Sequence, residues 1–277
     1  MNKIYFELDE DFDEIINRVL KNKKVNKSEK ITTGWTNIVY EVETNEGNYF
    51  FRFPRDEFWS RTIVKDCEFA SYIHNKRNFN TSDLKLYYDN GRPFSVHKKI
   101  PGKPLASKMN ELGKEQVEDI SDDIAKFMYE LHNIKYNEKD IFNINNISLR
   151  LKGFLTELLN LHVSKEDKKF WKTDENNSES EILVHGDLNP SNVLIDDNNK
   201  VTAIIDFGFG GFGNKYDDIS RIIGRCPDNY KEPIIKSYEK YSYSKLDRQE
   251  LDKNIKQWNN IDNAYINYMR NIGIYKD

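Results

Sequence analysis

The chain has 277 residues, with 42 Lys and Arg against 46 Asp and Glu, a net charge of −4 and a mean hydropathy of −0.80. This charge balance argues against a partner held mainly by phosphate neutralisation, so we expect no nucleic-acid partner. No apolar run approaches the roughly 18 residues of a membrane helix, and acidic residues stand where a signal peptide would be apolar. We therefore expect a cytoplasmic protein without a membrane partner, and a monomer.

The first hundred residues predict a small sheet with a helix against it. Apolar residues repeat with helical spacing over 12–20, and the Lys- and Asn-rich stretch 21–30 predicts a turn. The segments 38–43 and 49–53 flank a Gly-containing turn and predict a β-hairpin. Helical spacing returns over 63–73, which predicts a helix that crosses behind the sheet.

The Pro- and Gly-rich stretch 93–104 predicts a lobe boundary. We place an N-terminal nucleotide-binding lobe at 1–97 and a C-terminal catalytic and acceptor-binding lobe at 98–277. The predicted fold class is α+β, with an antiparallel sheet and a helix followed by a mainly helical lobe. The second lobe is expected to hold amphipathic helices and a few short strands, at 120–131, 151–159, 182–184, 193–195 and 201–205.

The chemistry is concentrated in two neighbouring stretches, HGDLNPSN at 185–192 and IIDFG at 204–208. Asp187 is expected on a tight turn after a buried strand, Asn192 comes five residues later, and Asp206 ends another strand, so three oxygen-bearing side chains are expected to converge. In proteins Mg²⁺ is bound by one or two carboxylates together with substrate phosphates. Asp206 and the amide oxygen of Asn192 would supply the protein ligands of such an ion. Asp187 remains available to accept the proton of an attacking hydroxyl.

These motifs resemble the kinase signature pair, in which H-x-D-x-x-x-x-N is followed by D-F-G. The variant in this chain is similar to the aminoglycoside phosphotransferase and choline kinase superfamily, and further matching segments extend the resemblance over about 31–225. The resemblance implies a two-lobed protein-kinase-like fold, ATP or GTP as phosphoryl donor, and Mg²⁺. It also implies that Asp187 is the catalytic base and that Asn192 and Asp206 hold the metal.

The resemblance also implies a nucleotide site in the first lobe. Arg52 stands where the family usually has a lysine that reaches the phosphates, and Glu68 is its expected partner on the following helix. Gly34, Thr36 and Asn37 belong to the turn that would cover the phosphates.

The acceptor is expected to be a small molecule. Asp206 is only 12 residues from Asp218, and no A-P-E motif follows it, so there is no room for the peptide platform of a protein kinase. By the same resemblance, Asp218 would brace the catalytic loop, and His185 is expected to be structural.

Trp258 and Asp262 lie on one stripe of a predicted helix over 251–269. A cationic or sugar acceptor would stack on Trp258 and pair with Asp262. The alternative, that this stripe packs as core, has at least equal weight. Aminoglycoside-type antibiotics are the leading acceptor class. A metabolic or cell-envelope kinase for choline, a sugar or another small alcohol is the alternative within enzymes. A nucleotide-binding pseudoenzyme is a third hypothesis, which the presence of Asp187, Asn192 and Asp206 disfavours.

Overall fold

The computed structural model describes residues 5–7, 10–31, 36–77, 80–136, 148–172 and 181–274. Gly34, predicted in the phosphate-covering turn, lies outside the described residues. Among the helices that are described, none combines the length and the apolar character needed to span a bilayer.

The first part of the chain folds into a five-stranded antiparallel sheet with the order β1-β2-β3-β5-β4. The predicted hairpin is confirmed, because β2 and β3 pair in register from Asn37 opposite Pro54 to Thr44 opposite Gly47. The strands are β1 (Val25–Ile31), β2 (Asn37–Thr44), β3 (Gly47–Pro54), β4 (Lys85–Asp89) and β5 (Arg92–Lys98).

Strand β1 corrects the turn that was predicted over 21–30. Residues Val25–Ile31 pair antiparallel with β2, and most of their side chains are exposed. An edge strand contacts only one neighbour and commonly carries Lys on its open side. A Lys-rich stretch is typical of a turn as well as of an edge strand, and here it belongs to a strand at the solvent edge.

Two predicted helices of this part are confirmed, α1 (Asp13–Val19) and α2 (Glu57–Arg77). Helix α1 contributes Ile15 and Ile16 to a core that it shares with the apolar face of the sheet. Helix α2 packs across β3 and β5, and its other side contacts the second part of the chain through Phe69 and Phe58. Helix α2 thus links the sheet to the residues of the two signature motifs.

The second part is mainly helical, which confirms the predicted α+β class. Two small antiparallel sheets, β6-β8-β9 and β7-β10, hold the signature motifs among the helices. The helices are α3 (Lys114–His132), α4 (Leu151–His162), α5 (Lys215–Arg225), α6 (Asp228–Ser242) and α7 (Arg248–Asn271). The strands are β6 (Lys103–Pro104), β7 (Ile182–Val184), β8 (Val193–Ile195), β9 (Val201–Ile204) and β10 (Gly211–Gly213).

The short strands place the polar ends of the motifs side by side. Strand β7 ends at Val184, directly before the loop that carries Asp187, and β8 and β9 pair with Val193 opposite Ile204. Asn192 and Ile205 continue this ladder, since the Ile205 N–H donates to the Asn192 carbonyl at 3.0 Å. Asp206 therefore follows a strand that is fixed against the end of the Asp187 loop.

Candidate active site

A cavity of about 160 Å³ lies between the sheet and the helical part. Its wall combines the predicted nucleotide, catalytic and acceptor residues of the two parts. Those on the wall are Thr36, Asn37, Arg52, Asp187, Asp206, Trp258 and Asp262. Asn192 is buried behind the loop, and Glu68 is exposed on α2 away from this wall.

The Asp187 loop is anchored by a buried carboxylate on α5. Asp218 accepts the backbone N–H of His185 and that of Gly186, each at 2.8 Å, and its side chain is fully buried. Gly186 has a φ of +77°, and a Cβ there would lie 2.4 Å from the Phe209 carbonyl oxygen. The turn therefore requires glycine, and Asp218 sets the direction in which the chain leaves it.

A buried histidine also helps to hold Asp218 ionised. His132 Nε2 lies 3.2 Å from its carboxylate, and the other ring nitrogen of His132 contacts the Tyr238 hydroxyl at 2.8 Å. Burial alone would raise the pKa of Asp218, but the hydrogen bonds from His132 and from the loop outweigh it and hold that pKa below its ordinary value. A charged carboxylate under the loop is the stronger acceptor for both N–H groups.

His185 itself is a structural side chain in this geometry. It is fully buried, its ring lies against Phe207 at 4.4 Å between centroids, and its Nε2 contacts the Ile205 carbonyl at 3.0 Å. The ring therefore connects the Asp187 loop to the strand that delivers Asp206.

Asn192 closes the loop in a way that keeps its amide oxygen available. Its Nδ2 donates to the Asp187 carbonyl at 2.9 Å. No described residue donates a hydrogen bond to its Oδ1. The hydrogen bond from Nδ2 thus fixes the amide group, and Oδ1 is available as a ligand for a metal ion.

Asp206 adopts a left-handed backbone conformation, with φ at +67°. Such a conformation is tolerated by Asp and Asn but costs energy, and it is concentrated at functional sites. Its side chain is 48% exposed, and its Oδ1 lies 3.3 Å from Nη2 of Arg52. The exposed carboxylate is therefore accessible from the cavity.

The donor set fits a magnesium ion bound together with a nucleotide. Within the described residues, no group of three or more His, Cys, Asp and Glu side chains is placed to hold a metal by itself. Asp206 and Asn192 offer one carboxylate and one amide oxygen, both hard ligands. Mg²⁺ is commonly held by this small number of protein oxygens, with phosphates and water completing its shell.

Arg52 pairs with Asp66, and the predicted pairing with Glu68 is wrong. Nη1 of Arg52 donates to Asp66 Oδ2 at 2.5 Å, and the other carboxylate oxygen of Asp66 accepts the Phe207 N–H at 2.8 Å. Two residues apart on a helix are about 200° apart around its axis, so Glu68 points to solvent when Asp66 points inward. Asp66 thus connects the strand cation to the D-F-G turn.

This pairing predicts unequal effects of two similar substitutions on α2. We expect Asp66→Asn to lower the free energy of unfolding by about 3 kcal/mol, because it breaks a buried ion pair and leaves Arg52 with only the longer contact to Asp206. Denaturant unfolding followed by circular dichroism measures this, and Glu68→Gln is the matched control, with a change within about 0.5 kcal/mol. Equal effects of the two substitutions would contradict the assignment.

Asp187 is clamped by an arginine that sequence analysis did not identify. Arg221 on α5 donates from Nε and Nη2 to Asp187 Oδ1 at 2.8 Å and 2.7 Å, and from Nη1 to Asp262 Oδ2 at 2.6 Å. Burial raises the pKa of Asp187, and the positive charge of Arg221 opposes that rise. Arg225 forms a second ion pair with Asp262. Asp187 is therefore one end of a paired cluster of two carboxylates and two guanidinium groups.

The Trp258 ring packs against this cluster of charged side chains. Its ring centre lies 4.6 Å from the guanidinium carbon of Arg221, and its Nε1 donates to the Asp217 carbonyl at 3.1 Å. Leu251 and Met269 on the same stripe of α7 are buried in core clusters. The stripe is thus core at its ends and cavity wall in the middle, and binding of an acceptor by Trp258 and Asp262 stays a prediction.

Helix α2 also buries a lysine near the site. Lys65 is fully buried, its Nζ lies 4.4 Å from the centre of the Phe154 ring, and it has no hydrogen-bond partner within the described part of the chain. Burial lowers the pKa of Lys65 to about 7, because the charged form loses its hydration.

The lowered pKa of Lys65 predicts that stability rises with pH. Above pH 7 the folded chain has released a proton that the unfolded chain still binds, so the free energy of unfolding increases until the unfolded pKa near 10.5 is reached. We expect a gain of about 1.5 kcal/mol from this group between about pH 7 and 8.5. Denaturant unfolding of the wild type and the variants at several pH values measures this gain in the free energy of unfolding. The gain should vanish in Lys65→Met and persist in a variant of the exposed Lys76. A Lys65→Met variant with the wild-type slope would contradict it.

The sequence matches one family of proteins over residues 27–247, the Phosphotransferase enzyme family (APH). The chain belongs to this phosphotransferase family. The match spans both the sheet and the signature motifs, so the protein is a kinase-type transferase that acts on a small molecule.

Solved phosphotransferases share the fold of this chain. The GDP and kanamycin complex of APH(2")-IIia has a TM-score of 0.72 at 18% identity, covering 94% of this chain and 92% of that one. The streptomycin–ATP complex of APH(2")-IIa has a TM-score of 0.66 at 20% identity, covering 92% and 90%. Macrolide 2'-phosphotransferase MphH from Brachybacterium faecium has a TM-score of 0.64 at 13% identity, covering 94% and 93%. The predicted two-lobed, protein-kinase-like phosphotransferase fold is therefore confirmed.

Three residues of this phosphotransferase site carried signals that the sequence analysis did not use. Arg221 and Arg225 lie three and seven residues after Asp218, which places all three on one face of α5. Asp66 lies on the face of α2 that also carries Ile63 and Ala70, the face predicted to be buried. A charged residue on a buried face is a sign of a partner, and this signal distinguishes Asp66 from Glu68.

Proposed function

We propose that this phosphotransferase moves the γ-phosphoryl group of ATP or GTP to a hydroxyl of a small molecule, with Mg²⁺. The observation that carries the proposal is the shared cavity, on which Arg52, Asp187 and Asp206 meet. The reaction forms a bond between the acceptor oxygen and the γ-phosphorus and breaks the bond to the bridging oxygen. The nucleoside diphosphate leaves with that oxygen, and the hydroxyl proton goes to Asp187.

Different residues would bind the nucleotide, accept the proton and hold the metal in this reaction. Arg52, fixed by Asp66, offers positive charge to the phosphates, and Thr36 and Asn37 line the same end of the cavity. Asp187 accepts the proton through Oδ2, because Arg221 occupies Oδ1. Asp206 and Asn192 would hold Mg²⁺, which supplies charge neutralisation for the phosphates when it is bound.

Aminoglycoside-type antibiotics are the acceptor class that the similar structures favour, and antibiotic resistance would be the resulting role if they are the substrate. Two of the similar structures contain kanamycin or streptomycin. A groove of about 940 Å³ adjoins the cavity through Trp258 and Ile261. This volume lies within the roughly 300–1,000 Å³ of pockets that hold drug-sized ligands.

A sugar, choline or another small alcohol is the second acceptor class. Four aromatic side chains line the cavity, and its carboxylates are bonded to arginines of the chain. An aromatic wall with few uncommitted charges favours acceptors of low charge.

The test is nucleotide consumption with Mg²⁺, with ATP and GTP in parallel, against aminoglycosides, macrolides, choline and simple sugars. We expect release of the diphosphate to depend on one acceptor class. Nucleotide binding without stimulation by any acceptor would favour the pseudoenzyme hypothesis and contradict the proposal.

A further inference from the structure

The acceptor side of the cavity is electrically balanced by residues of this chain. Asp187 and Asp262 are its carboxylates, and Arg221 and Arg225 are bonded to them. The Arg221 side chain is 9% exposed and that of Asp262 is 16% exposed, so this pair is largely shielded from water, while Arg225 lies at its edge with 41% exposure. Two negative and two positive charges at bonding distance leave no net charge for an ionic acceptor to pair with.

The neighbouring groove has the same balance. Glu181 is paired with Arg150 at 2.8 Å, and Glu250 with Lys253 at 3.3 Å. Burial raises the pKa of Asp217 to about 7, because its carboxyl lies away from water, so much of it is neutral near that pH. A polycation that enters the groove would have to compete with cations of the protein at Glu181 and Glu250.

The uncharged surface of the cavity is aromatic. Trp59 and Phe209 stack with 6.5 Å between their centroids, and Trp258 and Tyr265 face the same space from α7. Arg221 already lies over the Trp258 ring. A quaternary ammonium group that used this ring would be repelled by the guanidinium, which removes the usual advantage of an aromatic box for such cations.

We propose that the acceptor is an uncharged polyhydroxy compound, of the sugar or polyol class, and that Arg221 and Arg225 determine this specificity. Such a compound lays its apolar face on the aromatic wall and exchanges hydrogen bonds with the paired Asp187, Arg221 and Asp262. The cluster discriminates against polycations because their binding requires an internal ion pair to break. This inference rests on the proposed function and concerns the same site.

Arg225 offers the sharper variant, since it bonds Asp262 and does not contact Asp187. Arg225→Gln leaves Asp262 with one guanidinium fewer and makes the acceptor side negative. Arg248→Gln is the matched control, with the same change in net charge at the start of α7, where Arg248 contacts Glu232 and Glu239.

The first measurement is direct binding of kanamycin by titration calorimetry, with Mg²⁺ and nucleotide present. We expect no saturable binding at millimolar kanamycin for the wild type and for Arg248→Gln. For Arg225→Gln we expect saturable binding, with a dissociation constant at least about fivefold below the highest concentration tested, an effect of ordinary size for one charge pair. Micromolar binding to the wild type, unchanged by Arg225→Gln, would overturn the inference.

The second measurement compares kcat/KM for glucose, myo-inositol and glycerol with that for choline, glycerate and kanamycin. We expect the best neutral acceptor to exceed the best charged one by at least about tenfold. A preference for any of the charged compounds overturns the inference and leaves the proposed phosphotransfer intact. Absence of transfer to every compound would count against the proposed function, while the calorimetric result still decides the inference.

Discussion

Replacement of Asp187 by Asn is expected to lower kcat by about a thousandfold, because a positioned general base contributes roughly 10²–10⁴ to such a step. The amide has nearly the shape of the carboxylate and retains one oxygen for Arg221, so the loop should remain in place. The Asp187 side chain bonds to Arg221 and not to the residues that we assign to the nucleotide and the metal, so nucleotide affinity should change by no more than a few fold. Steady-state turnover and nucleotide titration measure the two quantities separately.

Asp197→Asn is the matched control for this variant, since Asp197 is an exposed carboxylate ten residues further along the chain. It should retain wild-type turnover. Turnover of Asp187→Asn at the wild-type level would remove Asp187 from the proton transfer, and a parallel loss of nucleotide binding would assign it a different role.

Replacement of Asp206 by Asn is expected to weaken binding of the Mg²⁺–nucleotide complex by about a hundredfold, because the site loses its only predicted carboxylate ligand. Asn tolerates the left-handed backbone of this position as well as Asp does, so the turn should be preserved. Nucleotide titration at several Mg²⁺ concentrations measures the effect. The metal dependence should nearly disappear.

Binding of the nucleotide without metal is the internal control for Asp206→Asn. It should stay at the wild-type value or become tighter, since Arg52 loses one carboxylate that competes with the phosphates. An unchanged dependence on Mg²⁺ would contradict the assignment of Asp206 as a ligand.

The residues that we propose for the chemistry were predictable because they stand in short, ordered motifs. Asp187, Asn192 and Asp206 have fixed spacing and stand next to apolar strand segments, and the structure places all three around one loop and strand ladder. The hairpin and the amphipathic helices were predictable for a similar reason, since a periodic apolar pattern reflects burial on one face.

The remaining parts depend on contacts between distant segments. Strand β1 has an exposed, Lys-rich sequence, and only its pairing with β2 makes it a strand. The partner of Arg52 depends on which face of α2 meets the sheet, and this decides between Asp66 and Glu68. Arg221 lies 34 residues from Asp187 and 41 from Asp262, so its two contacts follow from the packing of α5 against α7.

We propose that Asp187 accepts the proton of a small-molecule hydroxyl while the phosphoryl group passes from the nucleotide to that hydroxyl. Mass spectrometry of acceptors incubated with ATP or GTP and Mg²⁺, with the wild type and Asp187→Asn side by side, tests it most directly. We predict that one acceptor gains the mass of a single phosphoryl group for each diphosphate released, and that the variant yields almost none. Diphosphate released with no phosphorylated acceptor, or equal product from the two proteins, would contradict the claim.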